Sequence, residues 1–218
     1  MLTKCFWLAL LLTPSAIACS QVASARLGTP VAEVCGDAPE ARYFPVGSFP
    51  GSPSDFNGDL FVRRWYSRPL AAMGEPSLSC GASADDETYR FVWLRTFHNP
   101  VAVRVFRRED QFGLEATILN GAGGYEPGAV SNRVTRELTR AQWRRLLSAL
   151  DEAQFWQATT TVDDIVGNDG AQWIVEARSA GRYHFVNRWG GADGVETIRP
   201  VGELFLELAE LNDLGPTY

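Results

Sequence analysis

The sequence predicts an α+β fold in which two amphipathic helices pack on one face of an antiparallel sheet built from two sets of strands. Two observations support this prediction. Apolar residues alternate in one set of segments before residue 139 and in a second set after residue 172, and a segment with helical spacing follows each set. With 218 residues, of which 45% are hydrophobic, the chain can bury one well-packed core.

Composition divides the chain into three parts. Residues 1–18 are predicted to be a signal peptide. Residues 19–58, which are rich in Ala, Ser, Gly and Pro, are predicted to be a tether and an irregular arm. Residues 59–218 are predicted to form a single α+β domain. Asp59 can cap the first helix of this domain, and Pro69 is expected to kink or break that helix.

The first set of strands is predicted from alternating aromatic and β-branched residues. Residues 89–97 form the first strand, and the turn at Asn99-Pro100 leads into a second strand that begins with residues 101–105. A third strand is predicted over residues 114–119 and a fourth over residues 133–138. These strands follow one another closely, as antiparallel neighbours do.

Two helices are predicted from capping signals and apolar stripes. Thr139 and Gln142 form the sequence of a capping box, and the stripe that follows is Trp143, Leu146, Leu147 and Leu150. The last helix is predicted to begin at about Pro200, because proline is favoured in a first turn. Its apolar stripe is Val201, Leu204, Phe205, Leu208 and Leu211.

The second set of strands is predicted to be a hairpin, with strands over residues 173–178 and 182–189 and a three-residue turn between them. That turn places Glu176 opposite His184. One face is then expected to be core, with Trp173, Val175, Ala177, Tyr183, Phe185 and Trp189. The other face is expected to meet solvent, with Ile174, Glu176, Arg178, Arg182, His184, Val186 and Arg188.

The pair of His184 and Glu176 is the one candidate for catalysis. A carboxylate beside an imidazole raises its pKa and orients it, as general acid–base catalysis requires. No serine stands in an elbow-like motif, so no nucleophile is evident in the sequence. The favoured interpretation is a cross-strand ion pair on a solvated face of the sheet. Asp169 could join these two residues around a metal, but their spacing does not specify a metal site, and no metal or cofactor is expected.

The hairpin face and the glycine-rich loop at residues 121–128 are the two candidate binding surfaces. Arg182 and Arg188 are candidates on the hairpin, and Tyr125 is the candidate in the loop. The loop matches neither phosphate-binding glycine spacing. A formal charge of −6 without a basic stripe argues against nucleic acid as a partner.

The first nineteen residues predict export. Lys4 is followed by a short apolar run at residues 6–12 and then by Pro14, which is typical of a cleavable signal peptide. Cleavage after Ala18 would expose Cys19. The sequence Ala-Ile-Ala-Cys resembles a bacterial lipobox, although that motif usually has leucine where Ala16 stands.

Counting cysteines favours lipidation of Cys19. Cys5 leaves with the signal peptide, so Cys19, Cys35 and Cys80 remain. An unpaired thiol is a liability in an oxidising compartment, and a lipid on Cys19 leaves one even pair. A Cys35–Cys80 disulfide would contribute about 4 kcal/mol in the chain-entropy model. We therefore expect a lipoprotein of the periplasm or outer membrane, held to the membrane only by its lipid, with simple signal cleavage before Cys19 as the alternative.

The domain contains a combination of short sequence segments through which the chain resembles a group of uncharacterised exported bacterial proteins. The resemblance covers about residues 60 to 210 and implies no activity and no catalytic residue. The segments are Glu75-Pro76-Ser77-Leu78, residues 89–95, residues 123–128, residues 169–173 with Glu176, residues 181–184 and Arg188-Trp189.

The expected function is that of an exported, non-catalytic envelope protein that binds a protein or a small envelope component. Two alternatives stay open. The first is a hydrolase that uses His184 and Glu176, and the second is a structural or immunity-type interaction protein.

Overall fold

The computed structural model describes residues 29–30, 41–49, 58–80, 85, 87–161 and 169–215. The predicted signal peptide, Cys19 and Cys35 lie outside these residues. The elements are β1 (Thr29–Pro30), α1 (Asp59–Met73), β2 (Glu87–Arg95), β3 (Val101–Arg108), β4 (Gln111–Leu119), β5 (Val130–Glu137), α2 (Arg140–Glu152), β6 (Ala171–Ser179), β7 (Arg182–Trp189) and α3 (Val195–Leu208).

The strands form one antiparallel sheet in the order β1-β7-β6-β2-β3-β4-β5. Because β1 has only two residues, six longer strands make up nearly all of the sheet. The predicted α+β class is confirmed. The hairpin of β6 and β7 joins the earlier strands where β6 pairs with β2.

Both faces of the sheet are covered, whereas the sequence analysis expected one. The first core lies between the sheet and helices α2 and α3, and it includes Trp93, Trp173 and Phe205. The second core lies on the opposite face, against α1 and residues 41–49. Its members from the sheet are apolar residues that alternate with charged ones: Val92, Leu94, Ala102, Leu119, Ile174, Tyr183 and Phe185.

The predicted hairpin register is wrong by one residue. Ser179 pairs with Arg182, so the turn has two residues, and Glu176 lies opposite Phe185 rather than His184. Ala180 and Gly181 both have positive φ, at 49° and 74°, as a type I′ turn requires. This turn matches the twist of the strands, and it places Glu176 and His184 on opposite faces of the sheet.

The capping box that was predicted at the start of α2 is confirmed, since Thr139 and Gln142 exchange the expected hydrogen bonds. The helix is not broken at Pro69, since α1 continues to Met73. The predicted start of the last helix is wrong, because α3 begins at Val195, five residues before Pro200. In both helices the residues around the proline are buried in a core, and this burial offsets the missing backbone hydrogen bond.

The longest of the three helices in the described residues has fifteen residues. None of these helices is long and apolar enough to cross a membrane.

Candidate functional site

A row of charged side chains crosses four adjacent strands on the face of the sheet that α1 covers. Glu176, Arg90, Arg104 and Glu115 occupy directly opposed positions on β6, β2, β3 and β4. Side chains at opposed positions of antiparallel strands lie close enough to interact. The row is therefore a consequence of strand register.

The centre of the row is the ion pair between Arg90 and Glu176, both of which have 0% of their surface exposed. Two nitrogens of the Arg90 guanidinium approach the same carboxylate oxygen, Nη2 at 2.6 Å and Nε at 2.8 Å. The Tyr183 hydroxyl donates to the other carboxylate oxygen at 2.9 Å. Both oxygens of Glu176 thus have partners, as a buried charge requires.

Glu75 relieves the repulsion between the two arginines of the row. It lies in the segment after α1, and its Oε2 is 3.3 Å from Nη1 of Arg90 and 3.0 Å from Nε of Arg104. Arg104 also contacts Glu115 at 2.5 Å and Asp85 at 3.8 Å. One carboxylate between two guanidinium groups makes the like charges on β2 and β3 compatible.

Residues 41–49 form a strap over this network. The ring of Tyr43 lies 5.8 Å from the Arg90 guanidinium, and its hydroxyl donates to the Glu75 carbonyl at 2.8 Å. At the other end of the strap, Asp59 accepts the backbone N–H groups of Gly47 and Phe49, each at 3.0 Å. The strap completes the second core and keeps water from the Arg90–Glu176 pair.

Burial sets the protonation behaviour of the two acids at the centre. It raises the pKa of the Glu176 carboxyl, while the Arg90 guanidinium and the Tyr183 hydroxyl oppose the rise by stabilising the carboxylate. Burial and the neighbouring Glu176 charge raise the pKa of Tyr183 well above its ordinary value, so this phenol stays protonated and donates. The centre of the network is closed, because Arg90, Glu176 and Glu75 are buried and paired with one another.

His184 lies on the opposite face, in the register position beside Ala177. Its ring packs against Phe155 and Trp156, with centroid distances of 5.0 and 6.0 Å. Burial lowers the pKa of His184, and backbone hydrogen bonds to Ala158 and Phe155 oppose this effect. The two members of the proposed catalytic pair therefore lie on different sides of the sheet.

The two hairpin arginines do not form an open binding face. Arg188 is buried, and its guanidinium donates to the carbonyl groups of Thr159, Thr160 and Asn187. Arg182 is half-buried, and its guanidinium stacks over Trp156 at 4.5 Å. Both arginines help to hold the segment after α2 against β7.

Tyr125 is the candidate binding residue that lies on the surface. It is 60% exposed and stacks on Phe97, which is 57% exposed, with ring centroids 6.0 Å apart. The glycine-rich loop is bound to the turn after β2, since Gly123 donates to Arg95 and Gly124 to Thr96. A Cβ at either glycine would lie within 3.0 Å of the backbone of that turn, so only glycine allows this close approach.

Within the described ranges, no three His, Cys, Asp or Glu side chains are grouped closely enough to hold a metal ion. Asp169 is exposed and lies two residues before β6. The aspartates at 163 and 164 lie outside the described residues.

Sequence reasoning missed the buried charged row because it assigned Glu176 to a solvated face. A usable signal was present. Arg90 and Arg104 alternate with Val92, Leu94 and Ala102, and Glu176 follows Ile174 at the same spacing. The solvated face of an antiparallel sheet is mostly polar, so the apolar residues that share this face with the charged ones indicate that it is covered.

Comparison with known proteins identifies no family. No family model and no curated protein matches the chain. Among solved structures, it is similar to the crystal structure of a putative adenylate cyclase from Bacillus halodurans, with 11% identity over 71% of this chain and 87% of that chain. The TM-score is 0.21, which is too low to support an argument about fold or activity.

The environment of His184 predicts a pH dependence of stability. Its pKa in the folded protein is lower than the ordinary value of 6.5, so the unfolded chain binds a proton more readily. The contribution to stability is present above pH 6.5 and is lost as pH falls through the lower, folded pKa. Urea unfolding between about pH 7 and 5 should show this loss.

The matched variant is His184→Gln, which cannot titrate. We expect the unfolding free energy of this variant to depend less on pH over the same range than that of the parent protein. If the unfolding free energies of the two proteins changed equally with pH, His184 would have the same pKa in the folded and unfolded states, and the prediction would be wrong.

Proposed function

We propose that the protein is an exported, non-catalytic α+β domain of the bacterial cell envelope, anchored by a lipid on Cys19. It binds a protein or a small envelope component at the surface of Tyr125 and Phe97, which we call the aromatic pair. The observation that carries this proposal is the contrast between the closed ionic network and the open aromatic pair.

The closed network supports a non-catalytic role. Glu176 accepts from Arg90 and Tyr183, and all three residues are buried, so a substrate would have to displace them before reaching the carboxylate. His184 cannot assist Glu176, because the sheet separates their side chains. General acid–base catalysis needs both groups within hydrogen-bond reach of the substrate.

The aromatic pair supports a binding role. Exposed aromatic side chains that stack on each other present a rigid apolar surface, and such residues are enriched in interfaces. The loop that carries Tyr125 is fixed by backbone hydrogen bonds from Gly123 and Gly124 to the turn that carries Phe97. The pair therefore loses little conformational entropy when it binds a partner.

The Cys35–Cys80 disulfide is part of the proposal. The Ser77 and Ser79 hydroxyls donate to the Arg42 carbonyl at 2.7 and 3.1 Å, and the Cys80 N–H donates to Ser77 Oγ at 3.1 Å. These bonds hold the strap beside Cys80. Cys35 precedes Arg42 by seven residues, which span at most about 25 Å, so it can reach Cys80.

The anchor is tested by the intact mass of the protein isolated from the envelope after expression of the full chain. We expect an N-terminal Cys19 with the mass of a diacyl or triacyl modification, and a peptide map without reductant that joins Cys35 to Cys80. The variant Cys19→Ser should lack the lipid mass and leave the membrane fraction. An unmodified mature chain would contradict the anchor.

The binding surface is tested by a photo-crosslinking amino acid placed at Tyr125 in cells, with Arg144 on α2 as a matched exposed control position. We expect a discrete adduct from position 125 that disappears in the Phe97→Ala variant and is absent from position 144. The absence of an adduct at 125, or the same adducts from both positions, would contradict a specific site at the aromatic pair.

A further inference from the structure

In the described part of the chain, the two edges of the sheet differ in how far their backbone groups are paired with other segments. On one side, β1 pairs with Arg182 and Tyr183 of β7, and the Asn187 N–H of β7 donates to the Thr160 carbonyl at 2.7 Å. On the other side, β5 ends the strand order and pairs only with β4. β5 has eight residues, and neither proline nor lysine is among them. Proline, lysine or a covering segment protects many such edges, and β5 instead carries two arginines and one glutamate.

Backbone hydrogen bonding shows which residues of β5 face outward. The Leu138 N–H donates to the Phe112 carbonyl at 2.9 Å, just beyond the paired positions of the two strands. In an antiparallel ladder, hydrogen-bonded pairs alternate with non-hydrogen-bonded pairs. The inward bonds of β5 therefore belong to Val134 and Arg136, and the backbone groups of Arg133, Thr135 and Glu137 point to the open edge.

The side chains of these three residues favour a second copy of the same strand. A two-fold axis through Thr135 would place Arg133 opposite Glu137 of the second copy, twice. An axis through Arg133 or Arg136 would place like charges together, and an axis through Val134 would oppose each charge with a neutral residue. Opposite charges at paired positions stabilise a sheet, whereas like charges destabilise it.

Arg133 and Glu137, which this pairing would bring together, are exposed and lie on the same face of the sheet. Arg133, Thr135 and Glu137 are all exposed. Arg133 lies on the α1 side, where its guanidinium donates to the Met73 carbonyl at 2.7 Å and to Thr117 Oγ1 at 3.1 Å. Glu137 shares that face, because it is four residues further along the strand.

From this geometry we infer that β5 pairs antiparallel with β5 of a second copy, with the two-fold axis at Thr135, so that two sheets join into one. Thr135 lies opposite Glu115, the last member of the charged row. The row of each copy therefore ends at the dimer axis. This inference does not depend on the proposed export or binding function.

The register is tested by cysteine crosslinking of the full-length protein. Thr135→Cys places two thiols on the axis, at the Cα separation of about 5.5 Å that opposed residues have and that a disulfide spans. In the control variant Asn132→Cys, the two thiols are about 20 Å apart because they are offset by six residues. We expect oxidation with copper phenanthroline to give a covalent dimer from the first variant only, above the background of the unsubstituted chain.

Charge exchange tests the pairing without crosslinks. We expect Arg133→Glu or Glu137→Arg alone to weaken dimerisation about tenfold, measured by sedimentation equilibrium. The double variant should regain most of the affinity, because each charge again meets its opposite. A monomeric parent protein, equal crosslinking of both cysteine variants, or a folded double variant that stays as weak as the single variants would overturn the inference.

Discussion

The ion pair between Arg90 and Glu176 is the interaction on which the rest of the structure depends. It joins β2 to β6, which is where the hairpin meets the earlier strands. Removing two charges from water costs free energy, so the buried pair needs further hydrogen-bond partners and a segment that packs over it. Glu75 and Tyr183 are the partners, and Tyr43 with the strap is the cover. Tyr43 and Glu75 thus connect the strap and the segment after α1 to the buried pair, and Asp59 holds the other end of the strap.

This constraint also limits the chemistry of the protein. Glu176, the acid that sequence reasoning placed in a catalytic pair, is bonded to Arg90 and Tyr183 inside the second core. His184 is packed between aromatic rings in the first core region and carries a lowered pKa. Glu176 and His184 therefore serve the fold. The contacts with other molecules that we propose lie on the surface, at the aromatic pair and at the open edge of β5.

The sequence was sufficient where the signal is local. The capping box at Thr139 identified α2, and the alternation of apolar residues identified the strands, because both depend on neighbours in the chain. The sequence was insufficient where the register of a strand depends on tertiary contacts. A three-residue turn ending in Gly181 fitted the sequence, but Ala180 adopts positive φ and the turn has two residues. Because the register differs by one residue, Glu176 and His184 lie on opposite faces of the sheet. The local sequence does not distinguish the two registers.

The most direct test of this account is a double-mutant cycle at the central pair, with unfolding measured in urea. Arg90→Met and Glu176→Leu should each lower the unfolding free energy by about 3–5 kcal/mol, because each leaves a buried charge without its partner. The double variant should lose much less than the sum, with a coupling above about 1 kcal/mol. The same cycle at the exposed Arg145–Glu207 pair is the control and should give a smaller coupling. Additive losses at Arg90 and Glu176, or a coupling no larger than that of the control, would contradict the central role of the pair.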